Sequence, residues 1–365
     1  MKKNKKFDNI SALNIVQGVQ KPDIVNPYID FSQLRQQPLQ SVEDYMRHIR
    51  TGDRVGLSQA ITLIESNLQE HSTLSQQLIE ACIPFAGKSI RIGITGMPGA
   101  GKSTFIEIFG KYLTKMGRKL AVLAIDPSSG RSKGSILGDK TRMEELAADQ
   151  NAFIRPSPSA GTLGGVARKT AETLIVCEAA GFDTIIIETV GVGQSETEVK
   201  NMVDFFLLLT LAGAGDELQG IKRGIMEMAD AILINKADGD NIARAELAKT
   251  QINNALHLFP PLPSQWTPKT MTVSAQQNKG IQEVWLMIDD YVNFTKKSNY
   301  FAKNRIEQSK ERFHQYIRDT LYEKILSAPD IQAKIHSLEK QIQQQTMSVY
   351  AAGREILEAW KNGVN

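Results

Sequence analysis

Two hydrophobic periods divide this chain. Between residues 91 and 274, short apolar runs alternate with amphipathic stretches, the pattern of a mostly parallel sheet flanked by helices. The runs are 91–95, 120–125, 152–155, 184–188, 205–211, 231–235 and 271–274; helices are predicted over 104–116, 140–149, 167–180, 221–229, 242–258 and 281–295. A strand covered on both faces should be uniformly apolar, and Phe205-Phe206-Leu207-Leu208-Leu209 is. Functional groups in such sheets collect at the carboxyl ends of the strands.

Outside that stretch only the helical period persists. Residues 1–40 carry Pro22, Pro27 and Pro38 with weak periodicity, which predicts an extended, partly disordered arm. Ser41-Val42-Glu43-Asp44 then has the form of a capping box, and helical patterns follow at 54–66 and 72–85, giving a helical prefix over 41–88. The α/β domain is expected over 89–297. From 298 to 365 the strands stop: Ile306, Phe313, Ile317, Leu321 and Ile325 mark one amphipathic helix. After a break at Ala328-Pro329, Ile331, Ile335, Leu338 and Ile342 mark a second, and Ile356, Leu357 and Trp360 a third. These helices either dock on their own domain or build a homodimer interface.

Composition narrows the class without choosing a function. The 365 residues, 41% hydrophobic and 23% charged, suit one large α/β domain with helical additions. The net charge of +3 singles out no kind of partner, and neither nucleic acid nor membrane is expected. No apolar run reaches the ~18 residues of a spanning helix. The basic start, Met1-Lys2-Lys3-Asn4-Lys5-Lys6, leads into Phe7-Asp8-Asn9 and reads as a solvated tail, not a secretory signal. Cys82 and Cys177 lie in apolar helical patterns and read as buried thiols of a reducing compartment, consistent with a cytoplasmic location.

The chemistry starts at Gly96-Met97-Pro98-Gly99-Ala100-Gly101-Lys102-Ser103-Thr104, which satisfies G-x-x-x-x-G-K-[ST] between a strand pattern and a helix pattern. Its glycines let backbone N–H groups point at an anion, and the following helix adds its positive end. Lys102 reaches the β- and γ-phosphates, and the Ser103 hydroxyl ligates Mg²⁺.

Further along, Asn235-Lys236-Ala237-Asp238 ends another apolar run. An ionised Asp238 only accepts hydrogen bonds, so it matches guanine N1–H and the exocyclic amine, where adenine N1 would oppose it. Lys236 can lay its stem over the ring, Asn235 can brace the loop, and after Val273-Ser274-Ala275 the Ala275 N–H can donate to guanine O6. GTP and GDP are therefore expected over ATP. Asp126 ends the second strand, and Asp139 follows in Gly138-Asp139-Lys140; two carboxylates beside a triphosphate imply Mg²⁺ between them, although Asp139 also suits a helix N-cap. Glu188 ends the fourth strand and leads into Thr189-Val190-Gly191-Val192-Gly193-Gln194, where Gly191 permits backbone approach to the γ-phosphate. Ala212-Gly213-Ala214-Gly215-Asp216-Glu217-Leu218-Gln219-Gly220-Ile221-Lys222 reads as a switch loop.

On these residues, with Asp126-Pro127-Ser128-Ser129 and Gly134-Ser135-Ile136-Leu137-Gly138-Asp139-Lys140-Thr141-Arg142-Met143, the sequence from about 41 to 360 resembles the MeaB/MMAA (ArgK-type) family of P-loop GTPases. The resemblance implies a P-loop GTPase core of the SIMIBI class with a carboxyl-terminal dimerisation extension. It also implies a homodimeric chaperone that uses GTP binding and hydrolysis to gate adenosylcobalamin delivery to methylmalonyl-CoA mutase, or a related acyl-CoA mutase, and to protect that enzyme. Carried over by position, Lys102, Asp126 and Glu188 are catalytic, Ser103, Asp126, Asp139 and Glu188 form the metal shell, and Asp216, Gln219 and Lys222 form a switch that answers to the mutase. The family's Thr after Asp-Pro-Ser-Ser is often replaced, and here it is Gly130.

No residue is assigned as the orienter of the attacking water; Gln194 is a candidate. Slow intrinsic turnover, accelerated by the mutase, is therefore expected. Two alternatives stay open: a nickel-inserting GTPase, which would need Cys or His near the switches where none is found, and a protein kinase or phosphotransferase linked to amino-acid transport.

Overall fold

The computed structural model describes residues 39–125, 143–156, 163–189, 195–212 and 223–363. Asp126, Asp139, Gly191, Asp216, Gln219 and Lys222 lie outside the described residues, as do Gln194 and residues 1–38 of the arm expected over 1–40. At the centre is a seven-stranded sheet, β1 (Ile90–Gly96), β2 (Leu120–Ile125), β3 (Ala152–Arg155), β4 (Thr184–Thr189), β5 (Phe205–Leu211), β6 (Ala231–Asn235) and β7 (Lys269–Thr272), in the order β3-β2-β4-β1-β5-β6-β7. Every pairing is parallel. After β1 the chain fills one side of the sheet with β2, β3 and β4 and then crosses to the other with β5, β6 and β7. That makes the carboxyl end of β1 the topological switch point, where ligands of such sheets bind.

Residues of alternate parity feed two cores. On one face Ile92, Ile94, Leu120, Val122, Phe205 and Leu207 meet Phe105 and Phe109 of α4 (Lys102–Lys115) and Trp285 and Tyr291 of α10 (Ile281–Lys297). On the other, Ala121, Leu123, Ile185, Ile187 and Phe206 meet α6 (Leu163–Ala179) and α7 (Ser195–Lys200). The prefix helices α1 (Val42–Thr51), α2 (Arg54–Glu65) and α3 (Gln69–Cys82) join this second core by packing on α6. Asp53 caps α2, its carboxylate accepting from the Val55 N–H at 3.0 Å. Helix α5 (Glu144–Ala148) follows β2; α8 (Arg223–Met228) and α9 (Ile242–Leu256) cover β5 and β6 through Met226, Ala245 and Ile252.

Three helices complete the chain: α11 (Tyr300–Ser327), α12 (Pro329–Gln343) and α13 (Val349–Gly363), with Pro329 at the first turn of α12 as the sequence break predicts. Gln308 is the buried residue of α11, whereas Ile306, Phe313, Ile317 and Leu321 are exposed along it. The strand that departs furthest from the sequence reading is β7, which covers 269–272, two residues before the predicted 271–274. As an edge strand it begins with the polar Lys269 and Thr270, so the apolar signal marks its end. Val273 and Ser274 already belong to the following loop, where Ser274 forms an isolated bridge with Lys279.

Candidate nucleotide site

At the tip of β1 the phosphate-loop motif turns into α4. Gly96 has φ +152°, and a Cβ there would come within 2.1 Å of the Leu209 carbonyl oxygen of β5. Glycine is thus a requirement of backbone packing as well as of the turn. Gly101 holds the left-handed position before α4, with φ +84°, and a Cβ there would press to 2.8 Å on Asn235 Nδ2. Pro98, Gly99 and Ala100 form the crest between them.

Lys102 is 8% exposed and donates from Nζ to the Gly96 carbonyl at 2.7 Å and the Met97 carbonyl at 3.2 Å. Burial pulls its pKa below the ordinary lysine value, and the nearby carboxylates of Glu188 and Glu196 act against that pull. Ser103, one residue on, donates its hydroxyl to Glu188 Oε1 at 3.3 Å. Glu188 reaches that place because β4 lies beside β1 with Glu188 level with Ile94. A hydroxyl and a carboxylate oxygen converging at a strand tip are the hard donors that Mg²⁺ prefers, so Ser103 and Glu188 fit a magnesium shell. Beneath them, the Thr189 hydroxyl donates to Thr95 Oγ1 at 2.8 Å, tying the two central strand tips together.

Across the site, the end of β6 is bound directly to the phosphate loop. Asn235 Nδ2 donates to the Ala100 carbonyl at 2.9 Å, and Asn235 Oδ1 accepts from the Ala275 N–H at 3.3 Å. The bracing expected of Asn235 is therefore present, and the Ala275 N–H expected for guanine O6 is engaged by that same amide. Lys236 occupies the left-handed region, φ +57°, a conformation non-glycine residues adopt rarely and mostly at functional turns. The Ser274 hydroxyl donates to Asp238, which orients the carboxylate, and Ser274 Oγ in turn accepts from the Gln277 N–H at 3.2 Å. Lys102, Ser103, Glu188, Asn235, Lys236, Asp238, Ser274 and Ala275 thus share one edge of the sheet, with Thr104 in the first turn of α4.

Glu196, in the first turn of α7, is the member of this cluster that sequence reasoning missed: it is 3% exposed and sensed electrostatically by Lys102. The signal available was a glutamate one residue beyond the Glu188–Ser195 motif, in a stretch whose apolar period is too short to show burial. Among the described residues, no three His, Cys, Asp or Glu side chains converge as metal ligands. Cys82 and Cys177 are both buried, and burial raises the Cys82 thiol to about 11.

Comparison with known proteins agrees with this geometry. The model of the methylmalonyl-CoA mutase-associated GTPase MeaB family matches residues 57–330. GTPase ArgK of Escherichia coli is 44% identical over 318 residues, covering 87% of this chain and 96% of that protein. A mouse relative, methylmalonic aciduria type A homolog, mitochondrial, is 44% identical over 321 residues, covering 85% and 77%. The crystal structure of a LAO/AO transport system kinase superposes with a TM-score of 0.73 at 37% identity, covering 89% of this chain and all of that one. With a phosphate loop at the switch point of a parallel sheet and relatives of this closeness, the chain belongs to the MeaB family of methylmalonyl-CoA mutase-associated GTPases.

Proposed function

We propose that this chain binds GTP with Mg²⁺ at the carboxyl edge of its sheet and hydrolyses it to GDP and phosphate. In doing so it gates adenosylcobalamin delivery to methylmalonyl-CoA mutase, or a related acyl-CoA mutase, and protects that enzyme. The observation that carries the nucleotide reading is the Asn235 amide, which joins the base-reading loop to the phosphate loop at 2.9 Å and so fixes their spacing. In this reading Lys102 and the phosphate-loop amides stabilise charge on the γ-phosphate, and Asp238 selects guanine. Ser103 and Glu188 would hold magnesium, which would supply charge neutralisation at the phosphates; by family resemblance Asp126 and Asp139 belong to the same shell, and Gly191 to the γ-phosphate contact. Asp216, Gln219 and Lys222 are the segment that answers to the mutase, and a cytoplasmic location goes with the two buried thiols.

A homodimer belongs to the same proposal. The apolar row Ile306, Phe313, Ile317 and Leu321 lies exposed along α11, and a second copy presenting the same row would bury it.

The test is GTP turnover by the full chain with and without purified methylmalonyl-CoA mutase. Slow turnover alone, rising at least tenfold with mutase, supports the reading; equal rates in both overturn the client assignment. The structural relative's name as a transport system kinase supports a second reading, phosphoryl transfer to a protein acceptor. γ-Labelled GTP separates the two, because a chaperone releases label as free phosphate and a kinase leaves it on protein.

A further inference from the structure

Glu196 is a buried carboxylate near enough to Lys102 for its charge to act on that lysine, and its position follows from packing. Val199 of α7 lies over the middle of β1, where a Cβ on Gly93 would meet Val199 Cγ1 at 2.8 Å. Glu196 precedes Val199 by three residues, so it shares that helix face and sits about 4.5 Å along the axis. Because α7 runs back from the carboxyl end of β4, that step leads toward the carboxyl end of β1. There Lys102 Nζ is bonded to the Gly96 and Met97 carbonyls. Glu188 flanks the same lysine and accepts from the Ser103 hydroxyl, the pair that fits a magnesium shell. Glu196 stands on an element of its own.

The other end of that element is held by α11. Gln308 of α11, 6% exposed, donates from Nε2 to the Val203 carbonyl at 2.7 Å and to the Lys200 carbonyl at 3.3 Å. Lys200 is the last residue of α7, and its carbonyl is one that the helix itself leaves unbonded. Gln315 Nε2 reaches Glu198 Oε1 at 3.4 Å, and Lys200 Nζ pairs with Asp230 at 2.8 Å. Gln308 Oε1, by contrast, is buried with no hydrogen-bond partner among the described residues, an arrangement that costs free energy and is relieved by any shift that brings a donor to it. The six-residue helix is thus anchored to α11 by bonds a small displacement can remake.

We propose that Glu196 determines the discrimination between GTP and GDP. Its carboxylate competes with the γ-phosphate for Lys102, so that GTP binds against a repulsion that GDP is spared, and α7 yields to it while Gln308, as a positioning residue, passes the displacement to α11. Hydrolysis removes the γ-phosphate and lets Glu196 return. The inference rests on the reading of this edge as a GTP site. It deepens that reading by naming the residue through which the protein senses the third phosphate.

Calorimetric titration of the full chain with Mg²⁺ and either GDP or the non-hydrolysable β,γ-imido analogue of GTP tests it. In Glu196→Gln the affinity for the analogue relative to GDP rises by about tenfold, the size expected for removing one partly screened charge a few ångströms from the phosphate. Glu196→Asp, which keeps the charge, retains the wild-type ratio. Gln308→Leu moves the ratio in the same direction as Glu196→Gln by a smaller factor, because α7 then yields more easily. If Glu196→Gln changes both affinities by one common factor, or weakens the analogue more than GDP, the proposal is overturned. Should Glu196→Gln fail to give folded protein, an unchanged ratio in Gln308→Leu overturns it equally. Wild-type chain that binds neither nucleotide is a distinct result, since it refutes the GTP site itself.

Discussion

The two ends of one sheet treat charge in opposite ways. At the amino-terminal edge the ions close on each other. Arg91 gives Nε and Nη2 to the two oxygens of Glu178, each at 2.9 Å, and Glu178 also accepts from the Ser89 hydroxyl and, at 2.7 Å, from the Gly87 N–H. Arg305 of α11 likewise grips Asp204 with Nε at 2.7 Å and Nη2 at 2.6 Å, while its remaining hydrogens reach the Gly87 and Ser89 carbonyls. At the carboxyl edge Lys102 is comparably buried, yet it spends its hydrogen bonds on two carbonyls of its own loop. Closed bidentate pairs are expensive to open and fix a structure. A lysine resting on carbonyls can be handed to a phosphate at little cost. The amino edge joins α11 to the core permanently, and the carboxyl edge is arranged for exchange.

The largest effect should come from opening the permanent end. Glu178→Ala leaves the Arg91 guanidinium buried without its partner, and is expected to cost about 3–5 kcal/mol, read as a lowered denaturant midpoint. Nucleotide affinity of the folded fraction should stay at the wild-type value. Next in size, Lys102→Ala removes the charge aimed at the phosphates, and GTP turnover should fall by roughly 10²–10³-fold in a phosphate-release assay. Asp238→Ala follows, since losing a charged acceptor is worth about 1.5–3 kcal/mol; it should appear as weaker GDP binding with no loss of the already poor ADP binding.

The smallest effect sharpens the same contrast through pH. Burial works to raise the Glu178 carboxyl, but the Arg91 guanidinium, the Ser89 hydroxyl and the Gly87 N–H outweigh it and hold the group below the ordinary glutamate value. A carboxyl lowered on folding stabilises the protein fully above its unfolded pKa, about 4.3, and loses that contribution as pH falls through the lower folded value. Acid unfolding of the wild type should therefore be steeper below about pH 4 than that of Glu178→Gln, which has no proton to take up there.

How much of this was legible in the sequence depended on how far apart the interacting residues lie. The phosphate loop, Glu188 and the Asn235–Asp238 loop were readable because each is a short motif at the end of an apolar run, and a parallel sheet brings all such ends to one edge. Helix α12 was readable from Pro329 and the period of Ile331, Ile335 and Leu338. The ion pairs of the amino edge were not, since Arg91 and Glu178 are 87 positions apart and Arg305 and Asp204 are 101 apart, with no local pattern linking them. Glu196 escaped for another reason: in a six-residue helix a buried glutamate looks like a solvated one. The start of β7 was misplaced because an edge strand tolerates Lys269 and Thr270, which a buried strand would not.

The central claim, that the carboxyl edge is a guanine nucleotide site, is tested most directly by titrating the full chain with GDP and with ADP in the presence of Mg²⁺. The account predicts saturable GDP binding and ADP binding weaker by at least about a hundredfold, because Asp238 leaves adenine N1 facing a second acceptor. ADP bound as tightly as GDP, or no GDP bound at all, would contradict it.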